Sequence, residues 1–204
     1  MKIICIGRNY IDHARELNNP VPSVPVFFMK PETALLRNNK PFFYPNFSSN
    51  IAYEVELVYR ICRVGKNICE RFAHRYYDAI GIGIDFTARD LQEHCKKQGL
   101  PWEIAKAFDN SAPISDHFIE ISQLPNANEI IFSLKKNETI VQHASCSEMI
   151  FTIEKIIAHV SKFVTLKIGD LIFTGTPAGV GSIEIGDVLS AYIGDKLMLT
   201  TKIC

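Results

Sequence analysis

The sequence predicts a mostly β fold, compact and strongly curved, on three observations. The C-terminal third repeats Ile-Gly-Asp before an apolar run, in KIGDLIFTG, EIGDVLSAY and YIGDKLMLT, so a tight turn opens each short strand. The stretch NIAYEVELVYRI (50–61) alternates as a half-buried strand does, with Tyr53, Val55 and Leu57 on one side and Glu54 and Glu56 on the other. The best amphipathic helix is confined to SEMIFTIEKIIAHVSKF, where Ser147 is placed as a cap and Ile150, Ile153, Ile157 and Val160 form the apolar stripe. Strands this short and closely spaced argue against a doubly wound parallel sheet.

The elements follow in order. KIICIG reads as a first strand, and RNYIDHARELNN as a helix of about two turns, with Asn9 as N-cap and Asn18–Asn19–Pro20 as its stop. The prolines of PVPSVPVFFMKPE give a loop running into a short edge strand. After a second proline-bearing connection the alternating strand spans 51–63. NICERFAHRYYDAI has helical spacing, and AIGIGIDFTARD is a buried strand whose glycines permit close backbone approach. RDLQEHCKKQG is a helix closed by Gly99. In NEIIFSLKKNETIVQHA, Lys136–Asn137 forms the turn of a hairpin.

Composition narrows the function. Among 204 residues, Lys plus Arg equals Asp plus Glu at 22 each, so no basic field exists to attract nucleic acid or anionic lipid. No window approaches eighteen consecutive apolar residues, so no membrane span is expected, and the apolar run after Lys2 is too short for a signal-peptide core. Six scattered cysteines without a Cys-x-x-Cys pair give a zinc site little support and make a reducing cytoplasm the simplest setting. No linker or composition break divides the chain, so one domain, 1–204, is expected.

Several groups could carry chemistry. Glu54 and Glu56, two apart on a strand, lie about 6.6 Å apart on one face and can converge on a cation or simply meet water. Asp85, inside the apolar GIGIDFTARD, needs a partner if buried. Three oxygen-only side chains suit Mg²⁺, Mn²⁺ or Ca²⁺ rather than zinc. His13 and Glu16 share a helix face, where Glu16 can orient the ring as a general base or both can face solvent. Lys106 is either a snorkelling surface lysine or a cation aimed at a developing oxyanion. Arg89 and Gln92 follow Asp85 where strand turns to helix. FTGTPAGVG (173–181) lacks the ending of a nucleotide P-loop, and its backbone N–H groups are better suited to a carboxylate. Cys95 beside His94 is a poor nucleophile pair, because adjacent side chains diverge.

The blocks GRNYIDHARE, FFMKPETAL, YEVELVYRI, IDFTARDLQ, KAFDNSAPI and GDLIFTGTPAGVG occur in the order found in the fumarylacetoacetate hydrolase family, and the chain resembles its short single-domain members. The resemblance implies an α+β, mostly β fold: a mixed β-sandwich roll with a few peripheral helices, paired as a homodimer. It implies Mg²⁺ or Mn²⁺ held by Glu54, Glu56 and Asp85, with a His13–Glu16 dyad on a lid segment of about 8–20. It places Lys106 in the active site, with Arg89, Gln92, Thr176 and Lys30 contacting substrate. Two departures, at Pro113-Ile114-Ser115-Asp116 and Gln142-His143-Ala144-Ser145-Cys146, fall in expected turns and bear on substrate fit. The expected substrate is a small keto acid. The expected reaction is hydrolysis of a 3-acylpyruvate: His13 activates water, and a pyruvate enolate leaves, stabilised by the metal and Lys106. Oxaloacetate decarboxylation and 2-hydroxy-dienoate isomerisation use the same enolate, and a non-catalytic keto-acid sensor is the alternative of another class.

Overall fold

The computed structural model of the protein describes residues 1–16, 20–124, 126–127 and 129–204. Its strands in chain order begin with β1 (Ile3–Gly7), β2 (Val26–Lys30), β3 (Leu35–Leu36), β4 (Ile51–Tyr53) and β5 (Val55–Ile61). Next come β6 (Tyr77–Ile84), β7 (Thr87–Ala88), β8 (Ala112–Pro113), β9 (Ile119–Glu120) and β10 (Ile131–Lys136). The last are β11 (Thr139–Ser145), β12 (Leu171–Phe173), β13 (Gly181–Ser182), β14 (Val188–Ile193) and β15 (Lys196–Lys202). The α-helices are α1 (Ile11–Glu16), α2 (Arg89–Gln98), α3 (Glu103–Lys106) and α4 (Ile153–Val160).

The Ile-Gly-Asp turns open β12, β14 and β15 as expected. Gly169, Gly186 and Gly194 sit at φ of 85°, 101° and 56°, a region open to glycine without strain. A mixed sheet runs β2-β1-β12-β5-β6-β9, parallel at β1–β12 and antiparallel at its other pairs. An antiparallel sheet, β11-β10-β14-β15, packs on it through β14 and β15 against β6 and β10 against β5. The main core lies between them: Val55, Leu57, Tyr59 and Ile61 from β5 and alternate isoleucines of β6 pack with Phe132, Leu134, Leu189 and Ala191. This is the mostly β roll with few helices that the sequence predicts.

Up to Val58, the other face of β5 does not meet water; only Arg60, further along, is part-exposed. Val58 packs there with Ile3, Cys5, Leu171 and Phe173 in a second, smaller core. Glu54 and Glu56 are only 6% and 2% exposed. The alternation holds in phase, but its polar side is interior, so solvation does not explain the two carboxylates.

Local departures have local causes. The expected single strand 51–63 breaks at Glu54: β4 leaves to pair with β13 and β7, while β5 stays in the large sheet. Asn9 does not cap α1. Its amide instead donates to the carbonyls of Phe151 and Thr174 at 3.0 and 2.7 Å, and its oxygen accepts from Phe151 N at 2.8 Å. The expected stop at Asn18–Asn19 lies outside the described residues. The helical spacing of 67–80 yields only a 3₁₀ segment, Glu70–Arg75, because β6 pairing with β5 claims the chain from Tyr77. Ser145 and Thr152, not Ser147, cap the 3₁₀ turn and α4. The hairpin turns at Asn137–Glu138, both at positive φ. No helix among the described residues is long and apolar enough to cross a membrane.

Candidate active site

Strands β5 and β6 bring the acids together. Glu56 lies opposite Gly83, and just past the strand ends Asp85 N donates to the Glu54 carbonyl at 2.8 Å, so Glu54 and Asp85 face each other. Gly83 lets β6 lie this deep, since a Cβ there would be 2.6 Å from the Phe173 ring. One ligand oxygen from each of Glu54, Glu56 and Asp85 lies within 4.8 Å of the others, and all three residues are buried.

Cations answer two of the three acids. Lys106 Nζ donates to Glu54 Oε2 and Asp85 Oδ2 at 2.8 Å each, and to Thr87 Oγ1. Arg89 donates to Glu54 Oε1 at 2.6 Å and, one turn along α2, to Gln92 Oε1 at 2.7 Å. Burial works against the Glu54 carboxylate, but the Lys106 and Arg89 charges outweigh it and hold its pKa well below the ordinary carboxylate range. The same carboxylates keep the buried Lys106 ammonium above its ordinary value against the pull of burial.

Glu56 is different. Its Oε2 accepts from Gly175 N at 2.7 Å, and among the described residues no cation lies within ion-pairing distance. Burial first, then the Asp85 and Glu54 charges, push its pKa well above the ordinary value. Asp85 Oδ1 lies 2.8 Å from Lys30 Nζ but outside hydrogen-bonding geometry. A buried acid without a counterion, beside an acceptor with spare capacity and a third carboxylate, fits a hard divalent cation.

His13, the base expected from the sequence, lines one cavity with this cluster. His13 Nδ1 is 3.2 Å from Glu16 Oε2, and Glu16 Oε1 accepts from Gly179 N at 3.1 Å, which fastens α1 to the glycine turn. Gly175, at φ 96°, brings that turn against β1: a Cβ would meet Asn9 Cβ at 2.7 Å and the Ile6 carbonyl at 3.1 Å. Thr176 is fixed by Gln142, whose amide donates to Thr176 Oγ1 at 2.8 Å and the Pro177 carbonyl at 2.9 Å. Gln142 Oε1 also accepts from Val55 N at 2.9 Å, so β11 supports the backbone beside Glu54.

One cavity of about 40 Å³ is lined by His13, Glu54, Glu56, Asp85, Lys106 and Thr176, with Arg89 and Gln92 on its α2 side. That is room for an ion and water, not for a keto acid in addition. Glu16 stands behind His13. Lys30 does not line the cavity: its buried ammonium lies behind Asp85 and donates to Phe86 O, Ser111 O, Ser111 Oγ and Lys106 O. Its contacts are with Asp85, Ser111 and the Lys106 carbonyl rather than with the cavity.

Sequence reasoning missed Arg8, Lys96, Phe28 and Trp102, which also line the cavity. Lys96 had a signal, since Arg89, Gln92 and Lys96 share one helical face. Arg8 had none, because its φ of 60° follows from how β1 ends.

The family model described as fumarylacetoacetate (FAA) hydrolase C-terminal matches residues 2–203. The chain is 42% identical over 201 residues to oxaloacetate tautomerase FAHD1, mitochondrial, of Mus musculus, covering 98% of this chain and 90% of that protein. It is 39% identical over 202 residues to oxaloacetate tautomerase YcgM of Escherichia coli strain K12, covering 99% and 92%. Among solved structures, fumarylpyruvate hydrolase from Pseudomonas aeruginosa in complex with Mn²⁺ and pyruvate superimposes with a TM-score of 0.92 at 34% identity, covering 100% of this chain and 89% of that one. With a fold and a near full-length sequence match of this kind, the chain belongs to the fumarylacetoacetate hydrolase family.

Proposed function

We propose that the protein is a divalent-metal-dependent enzyme that draws 2-keto acids into their enol or enolate form and cleaves the C–C bond of a 3-acylpyruvate. The observation that carries this reading is the His13–Glu16 pair held in one cavity with three buried carboxylates, one lacking a counterion. Glu54, Glu56 and Asp85 would hold Mg²⁺ or Mn²⁺, which when bound supplies Lewis-acid polarisation of a keto acid's carboxylate and 2-oxo oxygen.

The chain's own residues do the rest. With Nδ1–H donated to Glu16, His13 keeps its Nε2 lone pair as a base. Nε2 takes a proton from water as the oxygen attacks the distal carbonyl. The bond between that carbon and C3 breaks, its electron pair passes to the pyruvate fragment as the enolate, and the His13 proton returns to C3. Lys106 faces the developing negative charge. Arg89, Gln92 and Thr176 orient the substrate. Of the expected lid segment, residues 17–19 lie outside the described residues; the part from Arg8 to Glu16, fastened by Glu16 to Gly179, would act as a lid that excludes bulk water.

A second reading is favoured by the names of the two tautomerases that match nearly the whole chain. There, Nε2 removes a C3 proton from oxaloacetate and returns it to the 2-oxo oxygen, without water attack. A substrate panel of acetylpyruvate, fumarylpyruvate, oxaloacetate and a 2-hydroxy-dienoate with Mg²⁺ or Mn²⁺ tests both. Turnover that chelation abolishes is expected, and His13→Ala should slow acylpyruvate cleavage by about 10²–10⁴-fold. Binding of pyruvate or oxalate with no turnover of any member would make the protein a sensor instead. Unchanged cleavage in His13→Ala would remove the histidine from the mechanism.

A further inference from the structure

The cavity carries more positive charge than the reacting end of a keto acid requires. Three carboxylates, Glu54, Glu56 and Asp85, are matched by three cations in ion-pair contact with them: Lys106, Arg89 and Lys30. A divalent cation in the cluster leaves two positive charges, which one carboxylate and one enolate oxygen neutralise. Arg8 and Lys96 stand outside this balance. Both line the same cavity, and among the described residues neither has a carboxylate within ion-pairing distance.

Their placement is built. Lys96 lies on the α2 face that carries Arg89 and Gln92, and its ammonium sits 5.7 Å from the centre of the Trp102 ring, which leans on Phe28. Arg8 directly follows β1, and its φ of 60° is a left-handed conformation that costs a residue with a Cβ about 1 kcal/mol or more. Lys96 is an exposed residue and Arg8 a half-buried one, so the pair borders solvent, yet the two are close enough to feel each other: partial desolvation first, then the Arg8 and Arg89 charges, hold the Lys96 ammonium below its ordinary value. Uncompensated like charges at the wall of a cavity are relieved by an anion, and carboxylates suit a guanidinium paired with an ammonium.

We propose that Arg8 and Lys96 form a subsite for a second, distal carboxylate, which makes the protein selective for dianionic 2-keto dicarboxylates over monoanionic keto acids. This rests on the keto-acid reading above and narrows its substrate class. An acylpyruvate ending in a methyl group leaves both cations unanswered, whereas oxaloacetate or fumarylpyruvate brings a distal carboxylate that both can contact.

The test separates binding from turnover. Malate and its 4-methyl ester share a skeleton, differ in the distal charge and are not keto acids. Calorimetry on the Mg²⁺-loaded protein should find malate bound at least about tenfold more tightly than the ester. That preference should shrink by about tenfold in Arg8→Gln and in Lys96→Gln, while Lys97→Gln, one residue further along α2, retains it. In parallel, the kcat/KM ratio of oxaloacetate to its 4-methyl ester should fall in the same two variants, mainly through KM. Equal affinity of the wild type for malate and ester, or a preference that survives both substitutions, overturns the subsite. A preserved binding preference without turnover of any keto acid would support the subsite and refute the enzymatic reading.

Discussion

Replacing Glu56 with glutamine should stabilise the metal-free protein while weakening its hold on metal. Two unit charges 4.8 Å apart at an effective dielectric of about 20 repel by about 3 kcal/mol. Glu56 faces two such neighbours with no cation of its own, and it escapes part of the penalty by keeping a proton. Glutamine preserves the shape and can still accept from Gly175 N, so about 2 kcal/mol should be recovered. For a chain of this length that is a rise of about 4–8 °C in Tm, read by thermal melts in chelator. The pH dependence gives an independent check. A carboxyl whose folded pKa is raised above its ordinary value carries no penalty below the unfolded pKa and destabilises as pH climbs through the folded one. Metal-free wild type should therefore lose stability as pH rises from about 4.5 through that raised value, and the Gln variant should lack this slope. Glu54 does not mask the effect: its pKa is lowered, so its contribution is present above the unfolded pKa and lost only below it. Mn²⁺ or Mg²⁺ should raise the wild-type Tm and raise that of the variant much less. A variant that melts below wild type in chelator, yet responds equally to metal, would refute a counterion-starved Glu56.

Two further substitutions probe the supports of the site. Gly175→Ala places a Cβ 2.7 Å from Asn9 at a φ of 96° and should cost about 2–4 kcal/mol in urea unfolding; a change below about 0.5 kcal/mol would mean the turn relaxes freely. Gln142→Leu leaves the buried Val55 N–H without an acceptor and should cost about 1–3 kcal/mol while raising KM; an unaltered KM would disconnect β11 from the substrate.

What could be read from the sequence was local or periodic. The Ile-Gly-Asp turns depend on glycines whose positive φ the adjacent residues demand, so short windows sufficed. Glu54, Glu56 and Asp85 were legible because strand spacing places the first two on one face and an apolar run makes the third anomalous. Residues committed to distant partners were not legible. Asn9 looks like a helix cap but joins Phe151 and Thr174 across about 140 and 165 positions of chain. Lys30 sits in a family block, yet its partners at Asp85 and Ser111 put it on the far side of the acid cluster. Arg8 and Lys96 converge only because the end of β1 and helix α2 reach the same wall, a relation no window of sequence contains.

Glu16 has its two oxygens on two tasks, one steering the imidazole and the other gripping the Gly179 amide. Whatever lifts that short helix therefore disarms the histidine in the same motion. Such an enzyme would be inert while open to solvent, and a ligand too bulky to let the latch engage would occupy the pocket without being transformed.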